Sequence, residues 1–209
     1  IMIRIALVGS IGSGKSYISK LFNFPVFNAD QEVNIIYKKD KKTFLKLKRI
    51  LPDFFFNFPA KKNELINAIL YNKKNLKLIT NIIHPIIKKR LTKFIENNKN
   101  KKIIILDIPL YLENNLDKKK DIIIFVKGKT NEIRKRLEKR SNYNLRLINQ
   151  FKKIQLPMEK KLKKSHFIIK NDFTMRTAKK YVKIILNKIL NERSSIRYRN
   201  NRSFSKRRP

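Results

Sequence analysis

The most specific chemistry in this chain lies in Gly9-Ser10-Ile11-Gly12-Ser13-Gly14-Lys15-Ser16. Gly, four residues, Gly, Lys and Ser is the spacing of a phosphate-binding loop. The glycines let the backbone curl until successive amide N–H groups face one anion, and a helix opening at the loop's end adds the positive pole of its dipole. Lys15 then reaches the β- and γ-phosphates of a nucleotide, and the Ser16 hydroxyl can ligate Mg²⁺. Gly9, Ile11, Gly12, Ser13, Gly14 and Tyr17 complete the expected nucleotide contacts. Two carboxylates follow. Asp30 stands after a short extended segment, where it can accept a hydroxyl proton or cap a helix starting at Gln31. Asp107 ends an apolar run, which is the place of a carboxylate that orients Mg²⁺ or its waters, or holds an acceptor. Arg136 and Arg140 are four apart on one helix face, a spacing shared by phosphate clamps and by solvated surface.

The elements that must position these groups alternate between strand and helix. Ile3 to Val8, Pro25 to Phe27, Ile103 to Leu106, Ile122 to Val126 and Phe167 to Ile169 are short apolar runs of strand length. Continuous apolar runs of this kind are strands buried on both faces. Helical periodicity lies between them, with Ile133 and Leu137 after a Thr130 cap, and with Ala178, Val182, Ile185 and Ile189 after a Thr174 cap. The expected fold is α/β, a parallel five-stranded sheet flanked by helices. Residues from about 31 to 100 interrupt the rhythm with helical patterns and are expected to be a helical insertion. The expected domain is 1–191, with its core in 1–30 and 101–191.

Composition bounds the function. The 209 residues carry 52 Lys+Arg against 15 Asp+Glu, a formal net charge of +37. Such a charge suits a polyanionic partner. However, 38 Lys, 32 Ile and 23 Asn are spread over core and surface patterns alike, which is the mark of compositional bias. The exception is 192–209, where arginines sit among Ser and Asn, and a basic disordered tail with non-specific polyanion contact is expected there. Without cysteine, and with His84 and His166 as the two histidines, neither disulfides nor a thiolate or histidine-built metal site can form. No apolar run reaches the roughly 20 residues of a membrane span. A cytoplasmic protein without a membrane partner, monomeric or weakly homo-oligomeric, is the expectation.

The ordered set of motifs resembles the dephospho-CoA kinases. Gly9 to Ser16 matches that family's phosphate loop, Asn28-Ala29-Asp30 its Asp-Ala-Asp, His84-Pro85 its His-Pro, and Asp107-Ile108-Pro109-Leu110-Tyr111-Leu112-Glu113 its Asp-Val-Pro-Leu-Leu-Phe-Glu. Arg136 and Arg140 match a paired arginine pattern, Gln155 to Lys161 a Gln-x-Pro-x-Glu-x-Lys segment, and Asn171 an asparagine after the last strand. The resemblance implies a P-loop kinase fold with a helical substrate-binding insertion and a small helical lid at about 139–157. It implies ATP-dependent phosphorylation of the 3′-hydroxyl of dephospho-CoA, the last step of coenzyme A synthesis. Asp30, Lys15 and Arg140 would be catalytic, with Arg136 and Asn171 among the ATP contacts. Asp30, His84, Asp107, Pro109 and Leu110 would meet dephospho-CoA, and Ser16 would hold Mg²⁺ with the ATP phosphates, aided by Asp107 through water.

The chain departs from the family pattern at Asn28, which replaces the first Asp, at Tyr17, at Ser165-His166 and at Lys62. His166 reads as a strand-entry residue, and His84 beside Pro85 as either an acceptor contact or a helix break. A nucleoside or nucleotide kinase would share the loop and arginines but not the whole ordered set. An RNA-associated basic protein would account for the charge while leaving the loop and Asp30 without a task.

Overall fold

Parallel pairing of five strands organises the chain, in the order β2-β3-β1-β4-β5. A computed structural model describes residues 2–140 and 143–205, without the side chains of 192–205. The strands are β1 (Ile3–Val8), β2 (Val26–Asn28), β3 (Ile103–Asp107), β4 (Ile122–Gly128) and β5 (Phe167–Asn171). Each coincides with an apolar run expected to be extended, so the parallel five-stranded α/β sheet stands. Register aligns the strand ends: Asn28 pairs with Asp107, and Gly128 with Asn171. The chain leaves β1 toward one side of the sheet and later crosses to the other, so the carboxyl edge of β1 lies at a topological switch point, where ligands of open α/β sheets bind.

Period-two alternation divides the strand residues between two faces. Ile3, Ile5 and Leu7 of β1 pack with Ile18 and Phe22, beside α1 (Lys15–Leu21), and with Ala178, Val182, Ile185 and Ile189 of α9 (Met175–Ser205). Ala6 and Val8 face the other way, toward Leu91 of α5 (Lys73–Asn97) and toward Tyr111 and Leu112 in the turn after β3. Full burial of each such isoleucine or leucine stabilises the fold by about 1.5–3 kcal/mol.

The region between β2 and β3 is helical: α2 (Ala29–Lys39), α3 (Lys41–Ile50), α4 (Lys62–Tyr71) and α5. It has its own core of Ile36, Phe44, Leu47, Leu51, Phe55, Ala68, Ile69, Ile79 and Ile83. The amino half of α5 belongs to this core and its carboxyl half to the sheet, so one 25-residue helix joins the two bodies. Pro85 lies inside α5 and does not end it. Proline removes only the bond to the Asn81 carbonyl, and packing along the rest of the helix outweighs that loss.

After β4 come α6 (Thr130–Glu138), α7 (Leu145–Ile154) and α8 (Met158–Lys163). Lys129 is the N-cap of α6, with Thr130 its first helical residue, one position off the expected cap. Thr174 does accept from the Thr177 N–H (3.3 Å) at the start of α9. α9 continues as helix to Ser205, where an irregular tail was expected from Glu192. No Gly or Pro falls between Met175 and Ser205, so no residue type there stops the helix. Residues 206–209 lie outside the described residues.

Candidate active site

The carboxyl edge of the sheet opens onto a cavity of about 1420 Å³. Every site residue singled out from the sequence borders it except Gly9 and Ser13, which form the back of the loop. Gly9 (φ +147°), Gly12 (φ +81°) and Gly14 (φ +93°) all adopt backbone conformations that side chains resist. A Cβ on Gly9 would lie 2.5 Å from the Val126 carbonyl oxygen, and one on Gly14 would strike the Asn171 amide. Here glycine is required by close approach as well as by φ.

Lys15 opens α1 with its side chain nearly buried. Its Nζ donates to the carbonyl oxygens of Gly9 (3.1 Å) and Ser10 (2.9 Å). Burial holds its pKa down at about 8, an effect that Lys161 reinforces, while Asp107, Asp30 and Glu113 oppose it. Asp30 sits in the first turn of α2. Burial and then the neighbouring Asp107 push its carboxyl above the usual range, against the pull of Lys15, Arg140 and Lys62. Asp107, also pushed up by burial, accepts hydrogen bonds from the Ser16 hydroxyl and the Asn28 amide. The site thus sets two carboxylates among three cations, Lys15 at the loop, Arg140 just after α6 and Lys62 from the insertion.

Asn28 gives the departure from the family pattern a physical content. Its Oδ1 accepts from the Gln31 N–H (2.9 Å), and its Nδ2 donates to Asp107 Oδ2 (2.6 Å). It is therefore the N-cap of α2, and Asp30 is not. An ionised aspartate could cap the helix in the same way but could not donate to Asp107.

Asn171 is buried, donates to the Ser13 carbonyl (2.8 Å) and accepts from the Phe173 N–H (3.0 Å). Both ends of its amide are engaged by the protein, so it braces the phosphate loop from β5. Phe173, unforeseen in the sequence, has φ +66°, and the Arg136 guanidinium carbon lies 4.3 Å from its ring centroid. Arg136, which lines the cavity, is thereby held over this ring. Arg140 follows α6 and faces the carboxylates. His84, half-buried, lines the cavity from α5, and desolvation lowers its pKa. His166 does enter a strand: its Nδ1 accepts from the Ile123 N–H (3.0 Å), away from the cavity.

Toward the insertion the cavity wall turns apolar, with Leu65, Ile69, Leu76 and Ile79. Their periodicity in the sequence is helical, and the family resemblance implies substrate binding for the insertion as a whole without singling out these positions. Pro109 and Leu110, in the turn after Asp107, line the same cavity. Oxygen donors are the ones a hard divalent cation prefers, and Ser16 already touches Asp107. Among the described residues no group of three or more His, Cys, Asp or Glu is set to hold a metal. That fits an ion such as Mg²⁺, which is held by one or two protein oxygens together with substrate phosphates.

The model of the dephospho-CoA kinase family matches residues 3–177. The chain belongs to the dephospho-CoA kinase family. It is 32% identical over 170 residues to the dephospho-CoA kinase of Wolbachia pipientis wMel, covering 79% of this chain and 87% of that protein. With the dephospho-CoA kinase of Bartonella quintana it shares 29% over 191 residues, 89% of this chain and 97% of the other. Among solved structures, TT1252 from Thermus thermophilus superposes with a TM-score of 0.72 at 21% identity, covering 91% of this chain and 97% of that one. Dephospho-CoA kinase from Campylobacter jejuni gives 0.62 at 23%, covering 90% and 98%. These likenesses show a shared fold. No helix among the described residues is long and apolar enough to cross a membrane.

Proposed function

We propose that this chain carries out its family's reaction, ATP-dependent phosphorylation of dephospho-CoA, at the ribose 3′-hydroxyl and with Asp30 as the proton acceptor. The observation that carries the residue assignment is the placement of Asp30 on the first turn of α2, within the influence of Lys15, Arg140 and Asp107. The acceptor hydroxyl oxygen bonds to the γ-phosphorus, the bridge to the β-phosphate breaks, and the hydroxyl proton passes to Asp30. A carboxyl raised above its usual range lies closer to the working pH of such a base. Lys15 and Arg140 neutralise charge on the transferring group, and Arg136 with the residues of the phosphate loop binds the nucleotide. Residues 139–157, which include α7, act as a lid over it. Ser16 and Asp107 would hold Mg²⁺, which supplies charge neutralisation across the β- and γ-phosphates. The apolar wall beyond Pro109 and Leu110, with His84, receives the acceptor. Positioning and charge neutralisation supply nearly all the catalysis this reaction needs. The setting proposed for it is cytoplasmic.

The test is a product assay with dephospho-CoA, AMP and adenosine as rival acceptors, read by mass spectrometry. Dephospho-CoA should gain one phosphate, and Asp30→Asn should lower kcat by about 10²–10⁴ while nucleotide binding holds. Phosphorylation of AMP or adenosine with dephospho-CoA untouched would sink the proposal.

A further inference from the structure

Glu113 and Lys161 carry charge in the dry interior, yet neither borders the cavity. Lys161 Nζ lies 2.8 Å from Glu113 Oε1, with side chains only 3% and 9% exposed. The same oxygen accepts the Leu156 backbone N–H at 2.9 Å. Three stretches of chain therefore meet at one carboxylate. Glu113 closes the turn that begins with Asp107, Pro109 and Leu110. Leu156 ends the segment that starts at Arg140 and contains α7. Lys161 belongs to α8, whose Leu162 packs on the sheet core.

Beyond that carboxylate, the Leu156 side chain packs against the sheet core, while residues 143–154 are held lightly. No residue of α7 is buried, and its Leu147 rests against the insertion core. Phe151, Ile154 and Gln155 border the cavity. Both charges of the pair are felt at Lys15. An apolar pair of similar volume is often as stable as a buried ion pair. It could not accept from Leu156, however, and that is the role the carboxylate adds.

We infer that Glu113, fixed by Lys161, is a positioning residue that pins the exit of the Arg140 segment to the acceptor-side turn. It keeps the guanidinium at one end of the segment in register with the acceptor groups beside Asp107. The inference rests on the assignment of Arg140 and the acceptor site given above. A misplacement of about 1 Å in such a register costs on the order of 10²-fold in rate.

Two double variants isolate the anchor from the charge. Glu113→Gln with Lys161→Met removes both charges and leaves an amide oxygen for Leu156. Glu113→Leu with Lys161→Met removes the oxygen as well. With ATP and dephospho-CoA, the Gln double should keep kcat within about threefold of wild type. The Leu double should lose about 10- to 100-fold in kcat, with both KM values within about threefold and a urea midpoint matching that of the Gln double. Wild-type kcat in both doubles overturns the inference, as does an equal loss in both. Should the Leu double fail to fold, Leu156→Pro against Leu156→Ala asks the same question from the other partner, since only proline lacks the N–H. A kcat loss confined to the Pro variant supports the anchor, and equal rates refute it. Wild-type turnover, measured alongside, keeps a failure of this inference distinct from a failure of the family reaction.

Discussion

Replacing Asn171 by Ala tests whether the residue braces the phosphate loop or reads the adenine. The substitution removes two buried hydrogen bonds, to the Ser13 carbonyl at 2.8 Å and from the Phe173 N–H at 3.0 Å. Each contributes about 1 kcal/mol net, and a buried carbonyl left unpaired adds about 1–2 kcal/mol, for a total of about 3–4 kcal/mol. In a chain of this size each kcal/mol moves the thermal midpoint by about 2–4 °C, so a fall of about 5–15 °C is expected. If about 1–2 kcal/mol of that is loop order needed for nucleotide binding, kcat/KM for ATP should drop about five- to thirtyfold. A brace does not discriminate between bases, so kcat/KM for GTP should drop by the same factor. Asn171→Asp is the companion variant, since it keeps an acceptor for Phe173 but sets a carboxylate oxygen against the Ser13 carbonyl, and it should be at least as damaging. The measurements are differential scanning calorimetry and steady-state kinetics with both nucleotides. An unchanged midpoint with an altered ATP-to-GTP ratio would refute the brace and make Asn171 a direct contact of the base.

Two further outcomes follow from burial at opposite edges of the sheet. Lys15 must be charged to meet the phosphates, and its pKa in the free protein is held at about 8, so kcat/KM for ATP should fall as pH rises through about 8. Bound phosphates hold the proton on, so kcat should stay level there, and a level kcat/KM up to pH 9 would contradict the assignment. The same depression affects stability: the unfolded chain keeps this proton up to about 10.5 while the folded one releases it near 8, so Lys15 makes the fold gain stability between those values. At the amino edge, Asp121 forms an ion pair with Arg4 (Nε to Oδ1, 2.9 Å) and accepts hydrogen bonds from Arg4 Nη2 (3.1 Å), the Tyr111 hydroxyl and the Lys118 N–H (2.7 Å). Asp121→Asn should cost about 2–4 kcal/mol by urea unfolding and leave kcat per folded molecule unchanged, because the network is remote from the cavity. A kcat loss without a stability loss would contradict that separation.

The strands, the phosphate loop and the two site carboxylates were legible because each is a local signal. Buried parallel strands are short apolar runs, and three glycines in six residues stand out where the whole chain has four. What escaped depends on contacts distant in sequence. Lys161 ends the matched Gln-x-Pro-x-Glu-x-Lys segment, but only its meeting with Glu113 marks it as a buried partner rather than one more surface lysine. Asn28 read as a lost carboxylate, whereas its amide joins the α2 cap to Asp107 across 79 residues. Asn171 signalled proximity to the nucleotide but not that its amide donates to the carbonyl of Ser13, 158 residues earlier. Periodicity placed Leu65 and Ile69 in a core without telling that one side of this core is a cavity wall.

The strand order has a consequence for synthesis. β1 occupies the centre of the sheet, and its partners are β3, with Ile3 set beside Ile103, and β4. About 100 residues must be made after β1 before its first partner exists, a wait of about 5–20 s at ordinary translation rates. Through that interval Ile3, Ile5 and Leu7, later among the best-buried side chains, have no strand to pair with. The helical insertion, whose core is drawn from its own residues, can collapse in the meantime. The nascent chain thus meets the ribosome surface and the cell's holdases with its helical insertion able to form and its sheet still waiting for its central strand to be enclosed.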